Sequence, residues 1–165
     1  MERDMDRQQL LAAVAASWQA LDGAIEGLDE RALAEPNVVG PWSIVEVLGH
    51  VTAWEQQALR HIEQWPDVEP PTMVSGSTVD EYNAAEAERR RGWSLAEVRS
   101  EHHATRQRLR AAIEALSDAD WNSTRAVGDR TRSLGDIVAG DLGGDGPGDH
   151  AAEHARQILA WRSAR

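Results

Sequence analysis

The sequence contains no cysteine, so it can form no disulfide and offers neither a thiolate ligand nor a thiol nucleophile. Any metal it holds must be taken by imidazole or carboxylate. Phenylalanine is also absent, and a single tyrosine stands against seven tryptophans. Tryptophan must therefore supply much of the aromatic core volume. All 17 basic residues are arginine, a bias we attribute to codon usage rather than to function. No apolar run approaches the roughly 20 residues that span a bilayer, so no membrane partner is expected. The opening Met1-Glu2-Arg3-Asp4 is polar, with no apolar signal region behind it. With no cysteine to protect, a cytoplasmic location is the expectation.

Positive charge is scarce as well: 28 acidic residues give a formal net charge of −11. An acidic surface repels phosphate backbones, so nucleic acid is not expected as a partner. The one basic run, Arg89-Arg90-Arg91, follows Glu86 and Glu88 and reads as the cationic end of a helix. What remains is an ordinary globular composition, 41% hydrophobic over 165 residues. That suits a single domain spanning residues 1–165.

Hydrophobic spacing is helical throughout. Leu10, Val14, Trp18, Leu21 and Ile25 recur at three- and four-residue steps and predict a helix over 5–27. Pro36 and Gly40-Pro41 mark a connection. Ser43 and Glu46 have capping-box spacing, flanked by Trp42 and Val47 as a hydrophobic staple. A second helix is predicted from Ile44 to about Gln64. Residues 66–77, rich in proline, serine and glycine, read as a loop, followed by a short helix from Thr78 through Arg91. Ser94 and Glu97 repeat the capping arrangement and start a third helix that runs to about Leu116. Residues 118–131 read as mostly irregular, with a helical turn at Asp118–Trp121 and no β-alternation. Residues 134–141 read as helical, and a last helix is predicted from Asp149 to about Arg162. The sum is an all-α four-helix bundle with one long crossover loop.

The residues that point to chemistry are His150-Ala-Ala-Glu-His154. On a helix, positions i and i+4 share a face, so two imidazoles can share one cation. His150 and His154 lie in the same sector as Ile158 and Trp161, the residues this helix would bury. His50, at the edge of the second helix's apolar stripe, is the third candidate. Facial coordination by three histidines leaves positions open for water or substrate, as reactive metal sites require. His102 lies on a core stripe and reads as an ordinary buried histidine, with a fourth ligand or substrate contact as alternatives. His61 and His103 read as surface residues. Asp149 and Glu153 either orient the imidazoles or stabilise the helix N-terminus. The segment Gly143–Gly148 carries Asp145 and lacks the lysine of a phosphate loop, and there is no serine elbow.

Three stretches together resemble the DinB/YfiT-like superfamily of metal-dependent bundles, and within it the DfsB/colibactin self-protection branch. They are the segment Gly40-Pro-Trp-Ser-Ile-Val-Glu-Val-Leu-Gly-His50-Val-Thr-Ala-Trp-Glu55, the segment Val79-Asp-Glu-Tyr-Asn83, and the segment His150-Ala-Ala-Glu-His154-Ala-Arg-Gln-Ile-Leu-Ala-Trp161. The resemblance implies an up-down-down-up bundle, a homodimer, and a divalent metal, zinc or nickel, on His50, His150 and His154. It also implies chemistry on a small-molecule substrate: thiol-dependent transfer or isomerisation, or hydrolytic opening of an electrophile. Similar proteins carry a continuous helix into the histidine pair, whereas Gly143–Gly148 interrupts it here and is expected to leave His150 at a frayed first turn. Three functional readings follow. The chain is a metal-dependent hydrolase or thiol transferase with a pocket lined by Trp54 and Trp161, a non-catalytic protein that sequesters a small molecule, or a structural bundle.

Overall fold

In the computed structural model, residues 5–68, 78–144 and 146–165 are described. The loop expected over 66–77 lies outside them from residue 69 on, as do the opening Met1–Asp4 and Asp145. The element order is α1 (Arg7–Ile25), α2 (Glu30–Leu33), α3 (Ile44–Gln64), α4 (Val79–Arg89) and α5 (Leu95–Ala115). It continues with α6 (Asp118–Trp121), β1 (Thr124–Val127), β2 (Arg130–Ser133), α7 (Leu134–Asp141) and α8 (His150–Ser163). The fold is thus all-α apart from one short hairpin.

Helix starts are set by local chemistry. Ser43 and Ser94 each accept a hydrogen bond from the backbone N–H three residues on, and Glu46 and Glu97 in turn accept one from the backbone N–H of the cap residue. Asp6, Thr78, Ser117 and Ser133 form the same box. Each box satisfies two N–H groups that a helix terminus leaves without partners.

The long helices pair as α1 on α8 and α3 on α5, with α7 packed against α3. The shared core is built from Leu10 and Leu21 of α1, Ile44 and Leu48 of α3, Leu109 of α5 and Ile158 of α8, all almost completely buried. Trp18 and Trp121 are buried too, in line with tryptophan taking the place of phenylalanine.

Two expectations need correction. Residues 124–133 are a hairpin, with Val127 paired to Arg130 and Thr124 to Ser133, rather than irregular chain. Its loop is Gly128-Asp129, with Gly128 at φ 62°, the positive φ that two-residue hairpin turns require. His61 is fully buried rather than on the surface. Its Nδ1–H donates to Asp141 Oδ2 at 2.5 Å, and Gln57 Nε2 lies 3.3 Å from its Nε2. This polar pair ties α3 to α7, and a buried imidazole requires such partners. Among the described residues no helix is long and apolar enough to cross a membrane.

Candidate metal centre

His50 lies two turns into α3, a helix whose start is fixed by the Ser43–Glu46 box. His150 is the first residue of α8, and His154 follows one turn later. Asp149, the N-cap, makes no side-chain capping bond, and the interrupted helix suggested a loose first turn. Tertiary contacts hold it instead. His150 N–H donates to Leu142 O at 3.1 Å, and Ala152 N–H donates to Ser17 Oγ of α1 at 2.8 Å. Gly148, at φ 73°, lets the chain turn into α8 while pressed against Leu10, Ala13 and Val14 of α1.

The consequence is convergence. His50 Nε2 is 3.0 Å from His150 Nε2, which is 3.3 Å from His154 Nε2. One nitrogen from each ring lies within 4.8 Å of the others. For a metal–nitrogen bond of about 2.0–2.1 Å, ligands subtending roughly 90–110° are separated by about 2.9–3.4 Å. Two of the three separations fall in that range and the third is under 4.8 Å, an arrangement compatible with one ion.

Protonation favours the same reading. Burial, with the neighbouring imidazoles and Arg90 adding to it, pushes His50 down to about 2. Burial and His154 push His150 down to about 3. Burial also lowers His154, opposed by Gln157 and Glu153. All three rings are neutral near pH 7, so their lone pairs are available. His154 Nδ1–H donates to Gln157 Oε1 at 2.7 Å. That bond fixes the tautomer and leaves Nε2 as the acceptor facing the cluster.

The other candidates are placed apart from this point. His102 is buried on α5, with Nδ1 2.7 Å from Thr52 Oγ1. Because the Thr52 hydroxyl donates to Leu48 O, His102 Nδ1 must be the donor in that contact. His103 is exposed. Asp149 pairs with Arg156 at 2.9 Å, and the Glu153 carboxylate packs over Gly144, where a Cβ would sit 2.5 Å from Oε2. The residue that orients a ligand is Gln157, which the histidine spacing did not single out. Its position three residues after His154 was the available signal, since i and i+3 share a helix face.

Beside His50 lies a cavity of about 380 Å³ between α3, α4 and the turn that follows α4. Its tryptophans are Trp42 and Trp93, and the Trp42 ring centroid is 4.7 Å from that of His50. Trp54 and Trp161 were expected to line it and do not. Trp54 donates to Asn83 Oδ1 at 3.0 Å and stacks edge-on against Tyr82, while Trp161 packs on the core under Arg165.

The family model described as the DinB superfamily matches residues 6–140, which include His50 and end before His150 and His154. No curated protein sequence is significantly similar. Solved structures share the fold at low identity. A protein from Streptococcus pneumoniae superposes with TM-score 0.77 at 12% identity, covering 99% of this chain and 93% of that one. The colibactin self-resistance protein ClbS, in complex with double-stranded DNA, gives TM-score 0.77 at 12% identity, covering 99% and 98%. A mycothiol-dependent maleylpyruvate isomerase gives 0.67 at 18% identity, covering 94% of this chain and 61% of that one.

The ClbS complex overturns the exclusion of nucleic acid drawn above from net charge. A sum of −11 describes the whole surface, whereas salt screens charges beyond about 8–10 Å, so a bound partner meets only the local distribution. Locally the hairpin carries Arg125, Arg130 and Arg132, whereas Arg89, Arg90 and Arg91 are paired with Glu86, Glu88 and Glu101.

Proposed function

This chain belongs to the DinB superfamily, and we propose that it is a divalent-metal-dependent enzyme acting on a small molecule at His50, His150 and His154. The observation that carries this reading is the meeting of three imidazole nitrogens from two helices within 4.8 Å. Three neutral nitrogen ligands suit zinc or nickel among the common ions. A divalent ion so held supplies Lewis acidity, polarising an electrophile or making a bound water or thiol more acidic.

The chain's own residues do the rest. Gln157 holds the His154 ring in one orientation. Trp42, packed on His50, shields one side of the cluster from water. The cavity beside His50 supplies a place for the substrate. Two reaction types fit: hydrolysis, or transfer of a thiol to an electrophile. Because the chain has no cysteine, a thiol nucleophile must be a dissolved co-reactant. The self-resistance and thiol-dependent activities named for two proteins of the same fold support that choice.

Metal analysis of freshly purified protein tests the reading. We expect one zinc or nickel per chain, lost in His154→Ala. At free metal about 100 times its dissociation constant the gain is about 2.7 kcal/mol, or roughly 5–10 °C in melting temperature. A metal-free wild type that gains no thermal stability from either ion would end it. Stoichiometric rather than repeated consumption of an electrophile would mark a sequestering protein instead.

A further inference from the structure

The cavity beside His50 has a wall whose charges are matched by the protein itself. Arg90 is buried, and its Nε donates to Glu101 at 2.7 Å, its Nη1 to Glu86 at 2.8 Å and its Nη2 to Gln56 at 3.1 Å. At the rim, Arg91 pairs with Glu88, and Glu46 accepts from Ser43 N–H and Oγ–H. Apart from His50 and Asn83, whose Oδ1 accepts from Trp54 Nε1–H, the remaining wall is apolar: Trp42, Val45, Ala84, Ala87, Trp93 and Val98.

The geometry points to an uncharged apolar or aromatic body as what this cavity receives, with the reacting end directed at His50. This inference rests on the reading of the three histidines as the reactive centre. Away from the ion at the histidines, an anion seated against this wall would lose its hydration and find no unmatched cation among the lining side chains. Its surroundings are slightly acidic, with Glu46, Glu86 and Glu88 against Arg90 and Arg91. A cation fares no better, because the Trp93 ring already carries Arg89 at 5.4 Å and Arg90 at 5.9 Å. The volume of about 380 Å³ falls at the small end of ligand pockets, which run from about 300 to 1,000 Å³. It suits a compact molecule of a few rings. Gly49 belongs to the same design: a Cβ there would meet Arg90 Cδ at 2.9 Å, so its small size lets the Arg90 stem lie along α3.

Two dyes with one ring skeleton separate charge from shape: uncharged N-phenyl-1-naphthylamine and its sulfonate, 8-anilino-1-naphthalenesulfonate. Fluorescence titration is done on zinc-loaded wild type, on His50→Ala without metal, and on Ala87→Trp. Ala87 is exposed on the cavity wall, so the larger side chain blocks the space without entering the core. We expect the uncharged dye to bind one per chain, and the sulfonate to bind about tenfold more weakly or worse in His50→Ala, where no divalent ion attracts it. Ala87→Trp weakens the uncharged dye by about tenfold or more. The inference is overturned if the sulfonate binds His50→Ala as tightly as the uncharged dye, if neither dye binds, or if Ala87→Trp changes nothing. A metal-free wild type that preserved the expected order would sink the metal reading alone and leave the cavity assignment in place.

Discussion

Gly148 decides where His150 stands, and replacing this buried residue with alanine should cost far more than a change in a loop usually does. Its φ of 73° lies in the left-handed region, and a Cβ there would meet Ala13 Cβ at 3.1 Å and Leu10 Cδ1 and Val14 Cγ2 each at 3.2 Å. The backbone conformation alone costs a non-glycine residue about 1–2 kcal/mol. Crowding three side chains of α1 adds about 1–3 kcal/mol, because Leu10 and Val14 are core residues with little room to retreat. The expected loss is about 2–5 kcal/mol. The nearby Gly146 is the control: nothing lies within 4 Å of its would-be Cβ. Gly146→Ala should be neutral or stabilise by about 0.4–1 kcal/mol through the unfolded chain. Urea unfolding of the metal-free proteins reads the difference. A competition titration with zinc then reads whether displacing residue 148 carries His150 away from His50. If Gly148→Ala and Gly146→Ala unfold at the same urea concentration, the packing argument for the start of α8 is wrong.

Three further outcomes are expected. Gln157→Ala, which frees the His154 ring, should weaken metal binding by about 10–100-fold with unchanged helix content by circular dichroism; unaltered affinity would deny Gln157 its orienting role. Glu55 is buried and accepts from Trp18 Nε1–H at 2.6 Å, and burial, opposed by Arg106, raises it from the ordinary 4.5 to about 7. Its folded value is the higher one, so its contribution is complete below pH 4.5 and is lost as pH rises through about 7. At about 1.4 kcal/mol per pH unit, wild-type stability relative to Glu55→Gln should fall by about 3 kcal/mol across that window; denaturation of both proteins at several pH values would expose a flat or rising difference. Asp141→Ala leaves buried His61 Nδ1–H without its acceptor, and should cost about 3 kcal/mol while one metal per chain is retained; loss of the metal in that variant would mean that the α3–α7 tie supports the histidine cluster directly.

The helical scaffold was legible in the chain because its signals are local. The Ser43–Glu46 and Ser94–Glu97 boxes mark where α3 and α5 begin, and the apolar stripe of α3 runs to Ile62, two residues before the helix ends at Gln64. The turn at Asp118–Trp121 was legible for the same reason. The hairpin was not, because each strand has four residues, too few for alternation to stand out, and only Gly128-Asp129 signals its turn. His61 was misplaced because it lies off the principal stripe of α3. That helix is covered on a second side by α7, whose Asp141 supplies the partner an imidazole needs when buried.

Taken alone, the sequence determined which side chains could bind a metal and on which helices they ride, since composition excludes thiolates and i, i+4 spacing puts His150 and His154 on one face. Whether His50 meets them is a matter of distance between helices 100 residues apart in the chain, and no local pattern encodes that. It was decided by α1, whose Ser17 and Leu10 hold the start of α8 in place. The matched charges of the cavity wall are likewise tertiary, because Arg90, Glu101 and Gln56 come from three separate stretches of chain. Helix formation rests on bonds between near neighbours, while a site of this kind rests on packing among segments that meet only when the core closes.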